Sequence, residues 1–126
     1  MSYKETIESF IYDYPILEFH YLDRKDLIFS EKVRFICEHE CEHYGHSWAC
    51  PPAIGSIQSC IRECEKYSRA FLFSTIAQVE DSLNFEACLK ARRQHEDLTL
   101  KLRERFRQEF GDVLALSTGC MQCETC

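Results

Sequence analysis

Arg69-Ala70-Phe71-Leu72-Phe73-Ser74-Thr75-Ile76 reads as a buried strand. A long helix is expected directly after it, over about 82–110, with Cys88, Ala91, Leu98, Leu102 and Phe106 along one side and Gly111 as the stop. Upstream, Ile7, Phe10, Ile11 and Tyr14 fall at helical spacing until Pro15 closes that helix. Leu17, Phe19 and Tyr21 alternate with Glu18 and His20, the period of a half-buried strand. Ser30 can cap a helix whose inner face is Val33, Ile36 and Cys37. A helical stripe returns at Ile54, Ile57, Cys60, Ile61, Cys64 and Tyr67, and Val113-Leu114-Ala115-Leu116-Ser117 reads as a last strand. The order α-β-α-loop-α-β-α-β predicts a single small α/β domain over 1–126: a short sheet of about three strands, packed helices and a cysteine-rich metal-binding loop. No internal linker, repeat or low-complexity segment interrupts it.

The chain has 126 residues, 45% of them apolar, which suits one compact core that needs no disulfides. Its nine cysteines are therefore surplus to folding. Met1 is followed by polar Ser2-Tyr3-Lys4-Glu5-Thr6, without the basic and apolar regions of a signal peptide, and no apolar run is long enough to cross a bilayer. The expected location is cytoplasmic, where clustered cysteines bind metal or do redox chemistry more often than they form disulfides. A net charge of −6 and a pI near 5.4 are opposite to the basic footprint of nucleic-acid binding. The one basic stretch, 90–107, carries Lys90, Arg92, Arg93, Lys101, Arg103, Arg105 and Arg107 against Glu96, Asp97 and Glu104. It reads as a solvated helix face, the alternative being a docking patch for an acidic partner.

Two cysteine groups carry the chemistry. Gly119-Cys120-Met121-Gln122-Cys123-Glu124-Thr125-Cys126 has the C-x-x-C-x-x-C spacing with which ferredoxin thiolates wrap an iron–sulfur cubane. Cys37-x3-Cys41-x8-Cys50-Pro51-Pro52 supplies three further candidate ligands in a loop, 38–55, that loses periodicity and gathers histidine, glycine and proline. Within it Gly45 can take a positive φ and turn the chain, while Pro51 and Pro52 stiffen the exit. Tyr44 and Trp48 either roof the site against water or simply fill the core. Cys60, Cys64 and Cys88 lie on apolar helix stripes and read as small hydrophobes, although Cys60 and Cys64, one turn apart, could grip a metal together.

Cys37 and Cys41, the Tyr44-Gly45…Trp48-x-Cys50-Pro51-Pro52 signature and Cys120-x2-Cys123-x2-Cys126 together resemble the uncharacterised predicted metal-binding protein family, domain of unknown function 2284, found largely in anaerobic bacteria and archaea. The resemblance covers roughly 30–126. It implies metal binding, as an iron–sulfur cluster, and brings no established reaction. It also implies a further cysteine followed by arginine and proline beyond Cys126, so the chain is expected to be a C-terminally truncated member.

Three readings stay open. A [4Fe–4S] cluster needs four ligands, so Cys120, Cys123 and Cys126 either recruit one of Cys37, Cys41 and Cys50 or leave one iron open. Such a protein would serve electron transfer or metalloenzyme maturation with a redox or metalloenzyme partner, with neither nucleic acid nor membrane involved. Zinc is the rival: three cysteines plus His39, His43 or His46 would make a closed structural site and an interaction module. A thiol redox enzyme using Cys123 and Cys126 is the third. No Ser-His-Asp set, Walker loop, dinucleotide turn or His-Glu-x-x-His motif names a substrate. If both cysteine groups serve one site, the start of the helix near Ile54 and the exit of 113–117 must share one edge of the sheet.

Overall fold

The computed structural model describes residues 1–119. Helix α1 (Tyr3–Glu8) starts at a reciprocal cap. The Ser2 hydroxyl accepts from the Glu5 N–H at 3.2 Å, and the Glu5 carboxylate accepts from the Ser2 N–H at 2.8 Å, which satisfies two orphan donors at once. The helix is shorter than its apolar spacing suggests, and a 3-10 turn, Ile11–Asp13, carries that spacing on towards Pro15. Strands β1 (Glu18–Asp23) and β2 (Arg69–Ser74) form a two-stranded sheet. Leu17 N–H donates to the Ser74 carbonyl at 2.8 Å beyond one end, and Arg24 N–H to the Ser68 carbonyl at 3.0 Å beyond the other, so the pairing is antiparallel.

The chain divides into two compact units, one made of Met1–His20 with Leu72–Thr118 and the other built on Tyr21–Phe71. In the first, helix α4 (Phe85–Phe110) begins where the Asn84 side chain accepts from the Ala87 N–H at 3.1 Å. It ends at Gly111, whose N–H donates to the Arg107 carbonyl at 2.9 Å and whose φ of 83° turns the following chain out of the helix. The core of this unit is Ile7, Phe10 and Ile11 with Leu98 and Leu102. Phe10 meets Phe106 edge to face at 5.6 Å, and the Arg105 guanidinium lies 4.6 Å from the Phe10 centroid.

Two expectations are corrected here. The described sheet has two strands, because 113–117 does not pair as a third. Beyond that segment the backbone donor of Thr118 goes to a side chain of α4, the Glu96 carboxylate, at 2.9 Å. The basic stretch is not a uniformly solvated face either, since Glu96 is only 5% exposed. Arg105 also pairs with Glu109 at 3.0 Å, and Arg107 with Glu104 at 3.3 Å.

In the second unit, helix α2 (Glu31–Glu40) is capped by Ser30, and α3 (Ile57–Glu65) by Ser56 rather than starting at Ile54. Neither helix contains a buried residue. Val33 and Ile36, expected on an inner face, are 63% and 52% exposed. A polar contact ties α2 to the loop instead: Arg34 Nη1 donates to the Gly55 carbonyl at 2.9 Å. No described helix is long and apolar enough to cross a membrane.

Candidate metal centre

Cys37 sits in the last turns of α2, and Cys41 is the residue where the helix gives way to extended backbone, with φ −92° and ψ 122°. From there the loop is a succession of tight turns. Tyr44 N–H donates to the Cys41 carbonyl at 3.2 Å, His46 to His43 at 3.0 Å, Cys50 to Ser47 at 3.2 Å and Gly55 to Pro52 at 3.0 Å. The Ser47 hydroxyl also accepts from the Ala49 N–H at 3.1 Å. Gly45, at φ 75°, closes the loop by donating its N–H to the Pro51 carbonyl at 2.8 Å. The positive φ expected at Gly45 is thus present, and the hydrogen bond it permits joins the turn after Cys41 to the residue after Cys50.

This folding leaves Cys41 exposed and Cys37 and Cys50 half-buried, all three as free thiols. Accessible thiols are the donor type that thiophilic metals take as thiolates, so the chemistry of the set fits such a metal. Beside Cys50, Gly45, His46, Ser47, Trp48, Pro52 and Ala53 line an open cleft of about 350 Å³. Trp48 is 80% exposed along that cleft, so its indole neither fills the core nor roofs a buried site in the described structure. Among the described residues no three histidine, cysteine or acidic side chains converge as a metal site. The other three candidate ligands, Cys120, Cys123 and Cys126, lie outside the described residues, and with them the expected meeting of the two groups at one sheet edge.

The remaining cysteines, Cys60, Cys64 and Cys88, are half-buried free thiols. Cys60 Sγ lies 3.6 Å from the Ile54 carbonyl and Cys88 Sγ 3.8 Å from that of Ser82. Burial, with the neighbouring Cys60 and Glu63, pushes the Cys64 thiol up from its ordinary range, which disfavours the thiolate a ligand requires. The loop histidines are exposed: His39 packs its ring on Phe35 at 4.2 Å, His43 lies 3.9 Å from the Glu42 carboxylate, and His46 lines the cleft.

Sequence reasoning missed one cluster, in the first unit. Glu96 Oε1 accepts from both the N–H and the hydroxyl of Thr118. Arg92 Nη2 donates to the Thr118 carbonyl at 2.6 Å, and its Nε to the Thr118 hydroxyl at 3.4 Å. Nearby on α4, His95 Nδ1 bonds the Thr75 hydroxyl at 2.7 Å and its ring stacks on Phe73 at 5.4 Å. The only sequence signal for the first cluster was a pair of opposite charges at i, i+4, which normally marks a solvated helix face.

No curated protein and no solved structure matches this chain. A family model does match it, over residues 20–126, a span that holds the tight-turned loop and both cysteine groups. By that match the chain belongs to the family described as Predicted metal-binding protein (DUF2284).

Proposed function

We propose that this protein holds an iron–sulfur cluster of the [4Fe–4S] type on ligands drawn from Cys37, Cys41, Cys50, Cys120, Cys123 and Cys126. It serves electron transfer or the maturation of another metalloenzyme in the cytoplasm. The observation that carries this reading is the pairing of a ferredoxin-like triplet with three free thiols, none of them fully buried, at the end of α2 and on the tight-turned loop after it, inside the span of a metal-binding family. A bound cluster supplies one-electron redox chemistry at a potential set by hydrogen bonds to its sulfurs and by solvent exposure. The open cleft beside Cys50 is a route by which a partner reaches that edge of the loop. The exposed Lys90, Arg93 and Lys101 of α4 suit an acidic protein partner.

The test is the metal content and visible spectrum of protein purified without oxygen. Brown protein with iron and acid-labile sulfide in near-equal amounts is the expected result. Colourless protein with stoichiometric zinc would select a zinc-stabilised interaction module, with one of His39, His43 and His46 completing a Cys3His set. Well-folded, metal-free protein that also rejects added iron and sulfide would overturn both, leaving thiol chemistry at Cys123 and Cys126.

A further inference from the structure

Thr118 is an exposed residue in a segment without regular structure, yet its N–H, carbonyl and hydroxyl are all held by one helix. Glu96 takes the N–H and the hydroxyl, and Arg92, one turn earlier on α4, takes the carbonyl at 2.6 Å. Because the N–H belongs to the peptide plane before Thr118 and the carbonyl to the plane after it, the pair fixes both planes. It thereby holds the backbone of Thr118 itself against α4. Cys120, the first cysteine of the distal triplet, stands two residues further along the chain. Glu96 is itself buried, so its carboxylate is a rigid anchor rather than a swinging surface charge.

We propose that Arg92 and Glu96 are positioning residues for the distal cysteine triplet. By clamping Thr118 they prepare the approach to Cys120, so that part of the ordering cost of metal capture is met before the metal arrives. The inference rests on the reading of Cys120, Cys123 and Cys126 as metal ligands. It adds two residues with no metal-ligating role, far from them in sequence.

The test uses the full chain, reduced and oxygen-free, with cobalt(II) as the probe and thiolate-to-cobalt absorption as the readout. Arg92→Met removes the donor to the Thr118 carbonyl and should lower cobalt affinity about tenfold, the lower end of the usual effect of losing an outer support. Arg92→Lys keeps a cationic donor on the same turn of α4 and should recover part of that loss. Melting of the metal-free variants is followed alongside, because a clamp that only stabilises the fold would lower that melting temperature without touching cobalt affinity. Parental affinity in Arg92→Met, with Cys123→Ser clearly weakened, would overturn the clamp alone. Parental affinity in Cys123→Ser would overturn the ligand reading itself, and the positioning role with it.

Discussion

Gly45 has nothing within 4 Å of the place a Cβ would occupy, so its φ of 75° is the whole reason a side chain is unwelcome there. Gly45→Val should therefore destabilise the loop by about 1–3 kcal/mol, while Gly45→Asn should be nearly silent, because asparagine tolerates the left-handed region. Hydrogen exchange at the Gly45 and Cys50 amides reads this locally, and equal protection in both variants would mean the loop does not depend on that turn. Cys64 gives a second test at this scale. Its folded-state thiol titrates above the ordinary value, so its contribution to stability is fully present below about pH 9 and is lost as pH rises beyond that into the folded-state range. At neutral pH, mass spectrometry after brief iodoacetamide treatment should find Cys41 modified well before Cys64, since Cys41 is exposed while burial holds the Cys64 thiol above its ordinary range.

Helix α4 is the element whose sequence and structure agree best, and the reason is physical. Its stripe repeats over many turns and places Leu98 and Leu102 in the core of the first unit, and its stop is a glycine at a positive φ that other residues rarely adopt. Leu102→Ala should cost about 2–5 kcal/mol in urea unfolding, because the side chain is almost wholly buried. The exposed Leu116, by the same measure, should tolerate alanine with little change. The segment 113–117 shows where local pattern stops being informative. Val113, Ala115 and Ser117 alternate with leucines as a strand would. Thr118, the residue after them, is bound instead by Glu96, 22 residues away, a long-range bond that no periodicity encodes. Helix α2 errs in the other direction: its cap at Ser30 was legible, but the apolar Val33 and Ile36 have no described element burying them. At the site, spacing correctly put Cys37 on a helix, Cys50 in the loop and a positive φ at Gly45. It could not say whether three of the thiols converge, since that depends on elements distant in sequence.

At the scale of the whole molecule, the question is whether the two cysteine groups act as one centre. Thiolate ligation couples metal to local order, so removing a true ligand should both lower occupancy and loosen the loop that carried it. Cys50→Ser should do both, whereas Cys88→Ser, which alters a half-buried thiol on α4, should leave occupancy unchanged. Equal metal loss in the two would mean the division between ligands and packing residues is misdrawn. The sharper comparison sets Cys50→Ser against Cys123→Ser and against the two combined. If Cys50 and Cys123 serve one cluster, either change alone disables it, and the double variant loses no more iron than the worse single one. Independent sites would instead each lose their own share, and the losses would add. Iron and sulfide analysis of the four proteins, each reconstituted anaerobically, should show the non-additive pattern, because four thiolates complete a cubane that three leave open. Additive losses would assign the loop and the triplet to separate metals and would end the one-centre reading.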